Sequence, residues 1–307
     1  QRKRKPAEDV SAFNLERQAR AQRARTLGML LVPLEADYTI ALRRAPDIRE
    51  ACIEAYGPPA PDGETSLVAL REVLGLIGAH EWRRKGIEIR ALAGRIHPHY
   101  GVFTPIRSEY VDLVAQAPLP AAIKTASIAF DIGTGTGVLA AVLARRGIQR
   151  VIATDMDARA LACARENVER LGLARQVEVL QADLFPAGRA ALVVCNPPWV
   201  PARPSSPLER GIYDPESRML TRFLGGLASH LEGGGEGWLI LSDLAERLGL
   251  RSREELLGWI ESAGLTVVDR LDARPMHPRS TDASDPLHEA RKAEVTSLWR
   301  LALDKRA

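Results

Sequence analysis

Val193-Val194-Cys195-Asn196-Pro197-Pro198-Trp199 puts an amide, two prolines and an indole at the end of an apolar run. That combination can hold a planar NH2 group for methylation, although Asn-Pro at a strand end is also an ordinary turn signal. Upstream, Phe130-Asp131-Ile132-Gly133-Thr134-Gly135-Thr136-Gly137 stands where a strand hands over to a helix and a nucleotide-type cofactor would sit. Its three glycines let the backbone turn tightly and approach a ligand with no side chain in the way. A dinucleotide fingerprint would need its third glycine one position later, where Val138 stands, which weakens a nicotinamide reading.

Two further strand ends carry acids. Asp155 follows Val151-Ile152-Ala153-Thr154, about where a carboxylate takes both ribose hydroxyls, and Met156 beside it can cover one face of an adenine ring. After the next strand come Asp183, which can accept from an adenine amino group, and Leu184, which can offer a backbone N–H. An Asp at a strand end is commonly a turn former. Asp131, Asp155 and Asp183 at three successive strand ends are harder to explain that way.

The elements that must position these residues are a sheet and its covering helices. From residue 126 the chain alternates strands, expected at 127–131, 150–154, 177–180, 191–195, 236–242, 265–271 and 295–302, with helices at 137–146, 157–171, 216–231 and 253–263. This predicts an α/β, Rossmann-like, seven-stranded and mostly parallel sheet. Its last strand is expected to run antiparallel, because the segment Arg274 to Lys292 shows no clear crossover helix. Residues 1–86 read as a smaller N-terminal helical domain, 87–100 as a linking hairpin, and 101–307 as the catalytic domain. In the first of these, 9–31 reads as an amphipathic helix resting on Phe13, Ala24, Leu27, Leu30 and Leu31 and ended by Pro33, and Thr65 to Ile77 as another helix.

At 307 residues and 46% hydrophobic content the chain can bury a sizeable core. Cys52, Cys163 and Cys195 are too few and too far apart for a disulfide framework or a CxxC metal site, as expected of a reducing cytosol. His97 and His99 flank Pro98 with no third ligand beside them, so no metal is expected. No long uncharged apolar run appears, and the basic start Gln1 to Lys5 is not followed by a signal-peptide core. The expectation is a cytoplasmic protein with no membrane partner; with Gln1 in place of Met, the chain is expected to begin inside a longer one. A net charge of +3 excludes a general polycation, yet Arg17, Arg20, Arg23 and Arg25 make the start locally basic, either a solvated helix or an RNA or DNA contact.

Over roughly residues 100 to 303 the sequence resembles the class I S-adenosylmethionine-dependent methyltransferases. The resemblance implies S-adenosyl-L-methionine as cofactor, with Asp131, Gly133, Gly135 and Gly137 at its methionine portion, Asp155 at the ribose and Asp183 at adenine. A sulfonium and an ammonium without phosphates suit carboxylates better than an anion nest. Asn-Pro-Pro-aromatic resembles the amino-methylating subset, adenine-N6 and HemK-like glutamine-N5 enzymes. It implies that Asn196 and the Pro197 carbonyl accept the two N–H bonds of the acceptor, that Pro198 stiffens the loop, and that Trp199, where Tyr is commoner, stacks on the acceptor. Gly101-Val102-Phe103-Thr104-Pro105 resembles the Phe-x-Pro segment at the methionine end, with Phe103 and Thr104 as contacts. The acceptor expected first is a protein glutamine. A nucleic-acid exocyclic amine (adenine-N6 or guanine-N2), a small molecule, and a noncatalytic binding module are the alternatives, and the proline-rich 200–215 loop is where selectivity should reside.

Overall fold

In the computed structural model, which describes residues 6–204, 208–275 and 286–304, the chain opens with α1 (Pro6–Gly28). Of the five side chains expected to anchor it, Phe13 is buried and Ala24 partly so, whereas Leu27, Leu30 and Leu31 are exposed. The helix ends at Gly28, ahead of Pro33. Pro33 lies in β1 (Leu31–Leu34), a position that tolerates a missing N–H because both strands of a two-stranded ladder are edges. After α2 (Arg49–Tyr56), β2 (Ser66–Ala69) pairs antiparallel with β1, Leu31 opposite Ala69. That pairing removes residues 66–69 from the helix expected over 65–77, which instead runs as α3 (Leu70–Lys85). Leu34, Ile48, Cys52, Val73 and Leu76 form the core of this part. The basic start, Gln1 to Lys5, lies outside the described residues.

A hairpin follows, β3 (Ile87–Ile89) against β4 (Gly94–Ile96), closed by a tight helical turn at Arg90–Leu92. Beyond α4 (Glu109–Gln116) the chain alternates as its apolar runs predict: β5 (Ile128–Ile132), α5 (Val138–Arg145), β6 (Arg150–Asp155), α6 (Ala158–Arg170), β7 (Val177–Gln181) and β8 (Ala190–Cys195). Then come α7 (Arg218–His230), β9 (Leu231–Ser242), α8 (Leu244–Arg247), α9 (Arg253–Ser262), β10 (Leu265–Ala273), α10 (His288–Lys292) and β11 (Thr296–Leu303). Much of the 274–292 segment, residues 276–285, lies outside the described residues.

The seven strands β5–β11 form one sheet in the order β10-β11-β9-β8-β5-β6-β7, with β11 antiparallel to both neighbours and the pairs from β9 to β7 parallel. Side chains alternate across it, and both faces are covered, so β8 is apolar throughout and β5 is apolar but for Asp131. Ala129, Leu192 and Val194 point to the layer of α4, α5 and α6; Phe130, Ile132, Val193 and Cys195 point to that of α7 and α9. The chain reverses direction across the sheet between β5 and β8. Their carboxyl ends therefore open the crevice where such sheets take ligands. Among the described residues no helix is long and apolar enough to cross a membrane.

Candidate active site

The register of β5 and β8 builds the site. Ile132 pairs with Cys195, so the residues that follow, Gly133 and Asn196, leave the sheet side by side. Gly133, Gly135 and Gly137 all have left-handed backbone, φ +70, +54 and +80, a conformation that side chains disfavour. Each has a different surrounding. A Cβ on Gly137 would sit 3.2 Å from Cα and Cβ of Ala164, so the glycine lets α5 pack closely on α6; one on Gly133 would meet Met219 Cε at 2.9 Å; one on Gly135 would meet nothing within 4 Å. Gly135 is thus the place where a ligand can come against bare backbone.

Asp131 lies under this loop, 1% exposed, and its Oδ2 accepts both Thr134 Oγ1 (2.7 Å) and Ala140 N (3.0 Å). Burial pushes its carboxyl up to about 6 despite those two bonds. Among the described residues Oδ1 accepts no hydrogen bond. Asp155 ends β6 as expected; its Oδ2 accepts Gly135 N at 3.0 Å and its Oδ1 accepts Asp157 N at 3.0 Å. Burial raises this carboxyl too, against the pull of its backbone donors. The sequence places these acids on strand ends; that Asp155 ties the glycine loop to β6 is visible only in the structure.

Met156 stands exposed beside them. Asp183 is not a free acceptor: Arg222 of α7 forks onto it, Nη1 to Oδ1 at 3.1 Å and Nη2 to Oδ2 at 2.7 Å, and holds the carboxyl below its ordinary range. Nothing in the spacing of the chain signalled Arg222. Leu184 has φ +73, unusual for a branched side chain, and its carbonyl accepts Thr154 Oγ1 at 2.6 Å. Such strain costs about 1–3 kcal/mol and concentrates where backbone must face a ligand.

At the end of β8, Asn196 Oδ1 accepts the indole N–H of Trp199 at 2.8 Å. Pro197 is buried and Pro198 partly so, and the guanidinium of Arg107 lies 4.9 Å from the Trp199 ring centroid. The loop beyond is closed on itself: Val200 N donates to Ile212 O (3.3 Å) and Asp214 N to Val200 O (2.9 Å). Asp214, buried, caps α7 by accepting Met219 N at 3.0 Å and Leu220 N at 3.1 Å. Phe103 packs on Gly211, where a Cβ would be 2.9 Å away, so the Phe-x-Pro segment meets the 200–215 loop; Thr104 Oγ1 turns back to Val102 O at 3.4 Å. Residues 205–207 of the loop lie outside the described residues.

Two features that sequence reasoning did not find frame the crevice. Helix α1 lies on the 200–215 loop: Phe13 packs with Val200, Leu248 and Leu287, and Arg17 stacks 4.4 Å from the Tyr213 ring centroid while donating to Arg203 O. On the other side, buried Asn167 of α6 donates to Thr136 O (3.0 Å) and His97 O (3.2 Å) and accepts His97 N (2.7 Å), joining the hairpin to the glycine loop. His97 Nδ1 faces Arg83 O at 2.7 Å, and His99 Nε2 faces Glu166 at 2.6 Å.

Comparison with known proteins adds a family. The methyltransferase small domain matches residues 94–247, half of the chain. The ribosomal protein L11 methyltransferase of Pelotomaculum thermopropionicum is 45% identical over 76 residues, 24% of this chain and 25% of that protein. The release factor glutamine methyltransferase of Cereibacter sphaeroides is 33% identical over 164 residues, 47% of this chain and 55% of that protein. The matches thus span about half or less of these relatives. A solved ribosomal protein L11 methylase from Lactobacillus delbrueckii subsp. bulgaricus superposes with a TM-score of 0.44 at 16% identity, over 68% of this chain and 84% of that one.

Proposed function

This chain belongs to the methyltransferase small domain family, and we propose that it transfers a methyl group from S-adenosylmethionine to a planar amide or amino nitrogen, with a protein glutamine as the acceptor. The observation that carries the reading is the pairing of Ile132 with Cys195, which sets the glycine loop beside Asn196-Pro197-Pro198. The crevice suits the donor in charge: Asp131 lies beneath the loop 133–137, Asp155 is bonded to it, and the loop holds no cation. Open space at Gly135 and the strained backbone of Leu184 supply approachable main chain on either side.

When bound, S-adenosylmethionine supplies an electrophilic methyl group on a sulfonium. Everything else falls to residues of the chain. An amide nitrogen is a weak nucleophile because its lone pair is delocalised, so it must be oriented. The Asn196 side-chain oxygen has two lone pairs, one engaged by Trp199, and the other accepts an acceptor N–H. The Pro197 carbonyl accepts the second N–H, and the nitrogen lone pair is turned toward the methyl group. As the nitrogen bonds the methyl carbon the carbon–sulfur bond breaks, S-adenosylhomocysteine is the leaving group, and one of the two N–H protons passes to water; orientation of this kind is worth about 7–11 kcal/mol in favourable models, which leaves no need for a strong base. The relative named as a release factor glutamine methyltransferase supports a protein amide.

One observation favours a second reading, an exocyclic amine of a nucleic-acid base. Helix α1, carrying Arg17, Arg20, Arg23 and Arg25, lies against the acceptor loop. The experiment that separates the two is transfer of a tritiated methyl group to cell extract, divided by protease and nuclease treatment. Protease-sensitive label is expected; nuclease-sensitive label would replace the first reading by the second. Asn196→Ala is expected to keep stabilisation by S-adenosylmethionine and lose transfer. Normal turnover by that variant would remove Asn196 from the chemistry.

A further inference from the structure

We propose that Trp199 is a positioning residue for Asn196, its indole N–H fixing which way the Asn196 amide points, a proposal that rests on the reading of Asn196 as the residue holding the acceptor nitrogen. The argument begins with the 2.8 Å contact from Trp199 Nε1 to Asn196 Oδ1. An indole N–H only donates, so the amide must turn its oxygen, not its NH2, toward the ring. The orientation of Asn196 is thereby set by chemistry. Two prolines between the partners restrict the backbone that joins them.

The ring itself is held. Trp199 packs against the apolar clusters on both faces of the sheet and against the cluster of Phe13, Val200 and Leu248. One further side is taken by Arg107. That guanidinium is fixed in turn: Nε donates to Glu109 Oε1 at 2.8 Å, and Nη1 and Nη2 donate to Glu294 Oε1 at 3.1 Å. Glu109 and Glu294 are buried, and Glu294 also accepts Ser242 Oγ. The segment before α4, the end of β9 and the turn before β11 thus fix the guanidinium that lies on the ring. The ring is partly buried. Its edge, through the N–H, sets which lone pair of Asn196 meets the acceptor.

The test uses the full chain and Trp199→Phe, which keeps the ring and removes the N–H. On whichever fraction of cell extract takes tritiated methyl from the wild type, kcat is expected to fall about 10- to 100-fold, with KM and the S-adenosylmethionine Kd nearly unchanged. A second measurement needs neither donor nor acceptor. In isotope-labelled protein, the Trp199 indole N–H signal is expected to exchange slowly with solvent and to move in Asn196→Ala. An indole signal that Asn196→Ala leaves in place, or wild-type kcat in Trp199→Phe, overturns the proposal while the methyl-transfer reading stands. A wild-type protein that transfers no methyl group overturns that reading and the proposal with it.

Discussion

Asp131 titrates near 6 in the folded protein, against 3.8 for an ordinary aspartate, chiefly because burial penalises its charge. The folded chain therefore holds that proton more tightly than the unfolded chain does. Its contribution to stability is full below about pH 4 and is lost as the pH rises through about 6, a change of about 3 kcal/mol. Urea unfolding across this range should show the decline in the wild type and a flatter profile in Asp131→Asn; the same slope in both would assign the titration elsewhere. A bound cation favours the ionised carboxylate, so S-adenosylmethionine affinity is expected to fall below about pH 6 in the wild type, by at most tenfold per pH unit. Calorimetric titration checks that fall. The end of β6 at Asp155 was legible in the sequence, since it closes an apolar run, whereas Asp131 lies one residue inside β5 and Asp183 two residues beyond β7. The partners of these acids were not legible: Thr134, the Gly135 N–H and Arg222 meet them through turns and a helix whose rotation no spacing reports. The same limit applies to Trp199, legible as an aromatic after Pro-Pro but not as a donor to Asn196.

At the scale of elements, the sheet was readable because central strands buried on both faces are mostly apolar, and β8 was placed within a residue of its ends. The N-terminal part was not, because short amphipathic stretches such as Ser66–Ala69 take their form from a partner strand distant in sequence. Close approach of α5 to α6 gives a graded prediction. Gly135→Ala meets only backbone strain and should cost about 1–2 kcal/mol, whereas Gly137→Ala must also displace Ala164 and should cost about 1–3 kcal/mol more. Between β9 and β11, Arg300 donates to both oxygens of Glu236 at 2.8 Å, and Trp238 Nε1 adds a third bond at 3.0 Å. Arg300→Leu leaves a buried carboxylate without its cation and is expected to destabilise by about 3–5 kcal/mol, with much of the loss recovered when Glu236→Leu is added. Denaturant midpoints measure all four variants; an Arg300→Leu protein as stable as the wild type would show the pair to be dispensable.

Across the whole molecule, α1 packs on the loop that follows β8. Phe13 of α1 packs with Val200, Leu248 and Leu287, drawing together segments from opposite ends of the chain over the 200–215 loop. Phe13→Asp places a charge in that contact and is expected to release α1. Trypsin should then cut faster at Arg17, Arg20, Arg23 and Arg25, while the stabilisation by S-adenosylmethionine, which depends on the far side of the crevice, persists. Unchanged cleavage would mean that other contacts hold the helix. The strand order has a consequence for how the protein is made. Among the described residues, β10 pairs in the sheet with β11 alone, and β11 is inserted between two strands that precede it in sequence. During synthesis β9 therefore presents a bare hydrogen-bonding edge, and β10 has nothing to dock on, until residues 296–303 have left the ribosome. A nascent chain that stalls before Thr296 would already contain β5, β6 and β8, the strands that frame the crevice, yet carry an open edge ready to pair with a neighbour on the same message.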